Sequence, residues 1–296
     1  MIEDEIKNAV KTGIKKTGVR NKICGLSVGI NDPPHVMGIL NLSPESFYKS
    51  SVKDENTILE AALKMVEEGA TMLDIGARST SPWAPDVPVD VEKERLFKAL
   101  DAIRGNVDCV ISVDTMYAEI AEGALNRGAH IINDESGLIE DPNMAKVIAD
   151  YDASAVLMAT EKVRGDPLGM DAVISSLEKI IENAVNSGID ENNIILDPAI
   201  GKWIPEKEPF YDYEVLDRFE ELNVFNMPVM IAISRKSFMN DVLKKPAEKR
   251  LAGTLGATAV AVYKGGRIIR AHDIKETLDA ANIAYTISMN EYKREK

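Results

Sequence analysis

Two cysteines, three histidines and no long apolar run are the scarcities that bound this 296-residue chain. Cys24 and Cys109 are too few for a disulfide framework or a cysteine-ligated zinc site, and they suggest a reducing compartment. No run approaches the roughly 20 apolar residues of a membrane helix. The opening MIEDEIKNAVKTGIKK lacks the apolar core and small-residue cleavage site of a signal peptide. These absences lead to the expectation of a cytoplasmic protein with no membrane partner. Positive charge is also short: 35 Lys and Arg face 48 Asp and Glu, a net −13 that repels nucleic acid. Hydrophobic content of 45% and charged content of 28% are those of a globular chain.

Short β-rich runs alternate with longer amphipathic segments from His35 onward. HVMGIL, TMLDIG, DCVISVD, HIIND, SAVLMAT, NIILDPA, PVMIAIS and RIIRAHD make eight expected strands. Between two of them, Ile58, Leu59, Ala62, Leu63 and Val66 form one helical apolar stripe. Gly69, Gly128, Gly188 and Gly265 stand just past such helices, where a positive φ closes the last turn. Eight βα units predict an α/β fold, a (β/α)8 TIM barrel over residues 35–296. Residues 1–34 form an N-terminal extension, read as a helix and a hairpin covering the barrel's bottom. An open doubly wound sheet is the alternative, but it usually carries a glycine fingerprint after its first strand, where this chain has NLSPESF.

Barrel active sites form at the C-terminal ends of the strands. Asn41, Asp74, Arg78, Asp114, Asn133, Asp134, Asp197, Ser234, Arg235, Lys236, Arg270, His272 and Asp273 all fall there, whereas strand five offers Thr160 and Glu161. Individually each has a bland reading. Asp114 is placed to cap a helix, Asp197 to make an Asx turn before Pro198, and Asp74 to be a satisfied buried group. His35 and His130 open their strands and read as structural. His272 alone reaches the top, too little for zinc, while Mg²⁺ held by one or two oxygens plus substrate phosphate remains open. Lys236, Arg270 and His272 are expected to form a local positive pocket for a diphosphate-like anion. The carboxylates suit a heterocycle with adjacent N–H donors.

The series VMGILNLSPESF, LDIGARSTSP, ISVDT, GAHIIND, ILDPAIG, ISRKSF and IIRAHD resembles dihydropteroate synthases over about residues 35–285. The resemblance implies a transferase of folate or methanopterin biosynthesis that joins a dihydropterin methyl diphosphate to an arylamine and expels diphosphate. It implies pterin contacts at Asp114, Asn133, Asp197 and Lys236, and a diphosphate side of Asn41, Arg270 and His272, with Asn41 also near Mg²⁺. Catalysis then rests on Lys236, Arg270 and His272 through charge stabilisation and positioning, without a covalent intermediate. A homodimer through outer helices follows by analogy.

Three stretches depart from the family's pattern. TPDSFSDGG becomes SPESFYKSS, with Glu45 for Asp. ESTRPG becomes Arg78-Ser79-Thr80-Ser81-Pro82-Trp83, and DPGIGFGK becomes DPAIGKW. The acceptor half is therefore expected to be remodelled, with Arg78, Thr80, Pro82, Lys202 and Ser237 as arylamine contacts. Two acceptors stay open: p-aminobenzoate, and a ribofuranosyl-phosphate arylamine held by Arg78 and Lys202. Other classes weighed are a corrinoid-dependent methyltransferase, a Schiff-base enzyme through Lys236, and a pterin-binding barrel without activity.

Overall fold

The structure, a computed structural model, describes residues 22–43, 57–78, 85 and 87–289. A short hairpin, β1 (Lys22–Ile23) and β2 (Leu26–Ser27), precedes eight parallel strands. These are β3 (His35–Asn41), β4 (Met72–Gly76), β5 (Val110–Asp114), β6 (Ile131–Asp134), β7 (Ser154–Met158), β8 (Ile194–Asp197), β9 (Met230–Ile231) and β10 (Ile268–Ala271). Their order runs β8-β7-β6-β5-β4-β3-β10-β9. The last gap is bridged by a parallel pairing of Leu196 with Val229, the Leu196 N–H donating to Pro228 O at 2.9 Å. The sheet thus curls into a barrel.

All eight expected strands are present, and the seventh is the most reduced. Pro228 has no N–H to give the ladder, and Arg235 turns into the left-handed region at φ 58°. Only the two residues of β9 pair with β10.

Between and after the strands lie α1 (Ile58–Glu67), α2 (Val89–Ile103), α3 (Ala118–Leu125), α4 (Met144–Asp150) and α5 (Met170–Asn186). The series continues with α6 (Pro209–Asp217), α7 (Asn240–Leu243), α8 (Leu251–Tyr263) and α9 (Ile274–Met289). The four helix-terminal glycines hold the expected positive φ, between 92° and 119°. Apolar faces of these helices join the outward side chains of the strands in one large core.

Strand alternation sorts the barrel interior into levels, because residues n, n+2 and n+4 of a strand face the same side. At the bottom, Met37, Met72, Val110, Ile131, Val156, Ile195, Met230 and Ile268 form a separate apolar cluster. Two residues higher stand Asp74, Ser112, Asn133, Asp197 and Arg270, and above those come Asn41, Gly76, Asp114, Glu135, Ser234 and His272. Polarity rises along the axis, so the chemistry is confined to one end.

The hairpin and the segment after it lie at the bottom of the barrel. Ile23 and Val28 pack into the apolar cluster, and the segment that follows is tied down by Arg267 and Tyr285, which donate to the carbonyls of Ile30 and Asn31 at 2.5 and 2.8 Å. The expected helix within residues 1–21 lies outside the described residues. Ile23 is fully buried, so Ile23→Ala is expected to cost about 2–5 kcal/mol in a urea unfolding titration. The specific activity of the folded fraction is expected to stay unchanged, because the plug is at the end of the barrel away from the polar residues.

Candidate active site

A buried ionic network fills the upper barrel. Asp74 on β4 accepts from Ser112 Oγ at 2.6 Å, from Asn133 Nδ2 at 3.1 Å and from Arg270 Nε at 2.6 Å. Arg270 reaches on through Nη2 to Asp114 Oδ2 at 2.9 Å. Strand register makes this possible: Asp74 pairs with Ser112, and Asp114 with Asn133. Burial opposes the charge of Arg270, but Asp74, Asp114 and Glu135 together outweigh it and hold the guanidinium charged.

Asp114 is driven well above the usual carboxylate range by burial and by Glu135, with Arg270 pulling the other way. It does not cap a helix; the Ala118 N–H is taken by Asp141 instead. Gly76 faces Asp114, and a Cβ there would come within 3.4 Å of its carboxyl. The missing side chain keeps that face of the mouth open.

Asp197 combines both of its readings. Its Oδ1 accepts the Ala199 N–H at 2.8 Å in an Asx turn, while Oδ2 takes no hydrogen bond from a described residue. Burial raises its pKa, opposed first by Lys236. Lys236 is itself pulled down by burial, against Asp197 and Glu135. Its Nζ donates to Ile200 O at 2.6 Å and lies 5.2 Å from the Trp203 ring. Gly201, at φ 131°, lets the lysine stem cross its backbone, since a Cβ would stand 3.0 Å from Lys236 Cδ. Asn133 Oδ1 is buried and has no hydrogen-bond partner among the described residues. A buried amide oxygen in that condition is a vacant acceptor for a ligand N–H.

One expectation needs correction. His272 is not part of a positive pocket: burial, then Arg270, depresses its pKa to about 4, so the ring is neutral at pH 7. Its Nδ1 lies 2.9 Å from Ser234 Oγ. Arg235 is not an anion site either, because its fork is spent on Asp273 at 2.7 and 2.9 Å. Carboxyls outnumber cations here, and the two interdigitate, with Arg270 between Asp74 and Asp114.

Asp134 turns away to accept the N–H groups of Ser136 and Leu138. His35 and His130 are structural as expected: His35 bonds Thr71 and Ser27, and His130 Nδ1 accepts the Ile111 N–H.

The arylamine candidates are partly separated. Lys202 and Ser237 line one cavity of about 430 Å³ together with Lys207, Asp212 and Phe238. Arg78 stands at the end of β4, paired with Glu92 at 2.8 Å and donating to Val87 O. Lys202 donates to Pro205 O at 2.8 Å and pairs with Glu208 at 3.3 Å. Both cations proposed for a phosphate are therefore already charge-matched. Thr80, Pro82 and Glu45 lie outside the described residues. Asn41 ends β3, its Oδ1 accepting the Ser43 N–H at 2.9 Å.

Sequence reasoning missed Glu135, Arg164 and Lys207. Glu135 follows the strand's last residue but keeps its inward alternation. Arg164 is returned to the mouth by a bridge pairing with Thr160. Lys207 is buried, donates to Ala199 O at 2.7 Å, and is pulled by burial to about 8.

The mouth of this (β/α)8 barrel therefore sets two acceptors that no described donor takes, Asn133 Oδ1 and Asp197 Oδ2, near Lys236 and Arg270. Residues 37–272 match the family described as pterin binding enzymes, and the chain belongs to that family. A dihydropteroate synthase of Bacillus subtilis is 37% identical over 243 residues, 81% of this chain and 84% of its own length. The dihydropteroate synthase of Coxiella burnetii, solved with pteroic acid, superposes with a TM-score of 0.80 at 34% identity, over 87% of this chain and 94% of its own. That of Xanthomonas albilineans, solved with 4-aminobenzoic acid, gives 0.79 at 30% identity, over 92% and 98%.

Asp74 is the common partner of three side chains and is fully buried. Asp74→Asn is expected to cost about 3 kcal/mol in guanidinium unfolding, because it leaves Arg270 with one carboxylate in a dry setting. Ser112→Ala, which removes one neutral donor, is expected to cost about 1 kcal/mol.

Proposed function

We propose that this enzyme condenses (7,8-dihydropterin-6-yl)methyl diphosphate with p-aminobenzoate and releases diphosphate, the dihydropteroate synthase reaction of folate formation. The observation that carries this reading is the pair of vacant acceptors, Asn133 Oδ1 and Asp197 Oδ2, beside the Lys236 ammonium. A pterin edge offers the matching ring N–H and 2-amino donors, and its carbonyl or N5 accepts from Lys236. The reading needs no covalent enzyme intermediate: the methylene carbon–oxygen bond breaks as diphosphate leaves, and the arylamine nitrogen captures the methylene carbon.

In that reaction the site works by position and charge. Arg270 and Lys236 supply the positive charge that a departing diphosphate requires. Arg270 cannot swing freely, since Asp74 and Asp114 fix two of its three nitrogens, so its field is preorganised. His272 acts as a neutral hydrogen-bonding ring. Ser234 Oγ accepts the His272 backbone N–H and lies against Nδ1, which fits a ring that keeps its proton on Nε2.

Mg²⁺ fits the donor set. Asn41 Oδ1 is a hard oxygen at the mouth with a lone pair beyond the one given to Ser43. Among the described residues no cluster of three His, Cys, Asp or Glu competes for an ion. One protein oxygen with substrate phosphate and water is the usual way this ion is held. When bound, it would neutralise charge on the diphosphate oxygens.

The acceptor is p-aminobenzoate and not a phosphorylated arylamine, because Arg78 and Lys202 have spent their charge on Glu92 and Glu208. Steady-state diphosphate release is expected with p-aminobenzoate, and slower release with a phosphorylated acceptor. A preference for the phosphorylated amine would reverse this assignment. Asp197→Asn is expected to weaken the diphosphate donor and the free hydroxymethyl pterin alike, by about 10- to 100-fold in calorimetric titration.

A homodimer is proposed through α8 and α9. α8 carries no charged residue, and Val260, Tyr263, Ile283 and Ile287 are exposed on these two helices. The absence of charge on α8 limits the local repulsion between copies that each carry −13. Sedimentation equilibrium is expected to give twice the chain mass for the wild type and the single mass for Val260→Glu/Ile283→Glu; a monomeric wild type would dismiss the proposal.

A further inference from the structure

Glu135 is the carboxyl in the mouth that the assigned contacts leave unused. It stands two residues past Asn133 on the inward side of β6, and only 6% of it is exposed. Asp74, Asp114 and Asp197 each accept at least one hydrogen bond from a described residue. The Glu135 carboxyl accepts none from a described residue; its backbone oxygen accepts from Thr160 Oγ1 at 3.5 Å. A buried carboxyl without a partner costs stability, and such a group is retained where it acts on a ligand.

The charged groups that face it come from five directions. Asp114 lies on β5, Arg164 in the loop after β7, Asp197 on β8, Lys236 after β9, and Arg270 on β10. Asp114 is matched by Arg270, and Asp197 by Lys236. Four acids, Asp74, Asp114, Glu135 and Asp197, thus stand against Arg164, Lys236 and Arg270, and Glu135 is the acid whose carboxyl takes no hydrogen bond from a described residue.

Resting on the pterin reading above, we propose that Glu135 is a further substrate-facing group, whose carboxylate offsets the positive charge that grows on the pterin ring as diphosphate leaves. The methylene carbon–oxygen bond breaks with its electron pair remaining on diphosphate, and the ring takes the positive charge. The arylamine nitrogen then supplies the pair for the new carbon–nitrogen bond, and one N–H proton is released to solvent. A fixed anion beside the ring lowers the barrier to the first of these events and does little for the neutral donor.

Burial raises the Glu135 pKa to about 7, against the pull of Arg270, Arg164 and Lys236. Only the ionised form helps, so the rate is expected to rise with pH through neutrality and level off above it. The test is the single-turnover rate of diphosphate release, with p-aminobenzoate saturating, followed from about pH 5.5 to 8.5. Glu135→Gln keeps the shape and removes the charge; it is expected to lower the plateau rate about tenfold and to abolish the rise near neutrality. Donor KM and binding of free hydroxymethyl dihydropterin are expected to stay within about twofold, since neither depends on the ring cation.

Glu135→Asp is expected to retain the rise. A Gln variant with the wild-type rate and the same pH rise overturns the proposal. So does a variant altered only in donor KM, or one that no longer binds the free ring. A wild type that releases no diphosphate would defeat the pterin reading itself, a result separable from any behaviour of the variants.

Discussion

The upper barrel depends on one cation shared between two carboxylates. Arg270, on the last strand, spans the interior to Asp74 and Asp114 on strands β4 and β5, and Asp74 in turn holds Ser112 and Asn133. Burying such charges is expensive unless every partner is in place. The barrel meets that condition by closing, because only closure sets the last strand beside the first. The result is a rigid polar floor above an apolar plug, on which the ligand-facing atoms stand.

That floor explains the electrostatics of the mouth. Carboxyls outnumber cations, His272 is neutral, and Arg235 is withdrawn to Asp273. The site is therefore not a general anion trap. It is better matched to a ring that donates hydrogen bonds and becomes positive, with positive charge kept at two fixed points for the leaving group. The cavity lined by Lys202 and Ser237 is built differently, its lysines each matched to an acid.

Much of the fold was legible in the sequence because a barrel of βα units repeats one short-range pattern. Strand runs, helix stripes and terminal glycines are local signals, and all eight strands fell where alternation placed them. The candidate site was legible to the extent that polar residues at strand ends mark the catalytic face. Asp114, Asn133, Asp197, Lys236 and Arg270 do converge there. Glu135 was missed because it lies just beyond a strand whose alternation it continues, and Arg164 because a loop carries it back. Lys207 was missed because a buried lysine looks like any surface lysine in a sequence.

What the sequence determined by itself was the order of elements and the face on which polar residues gather, since these follow from spacing along one chain, while its motifs carried the resemblance to a family. Tertiary structure alone decided which charges survive. His272 loses its proton to burial and to a cation two residues away, Arg235 and Arg78 are consumed by acids distant in sequence, and the Glu135 carboxyl is left without a hydrogen bond from a described residue. Charge states depend on neighbours and on exclusion of water, and both exist only once the strands have been brought together.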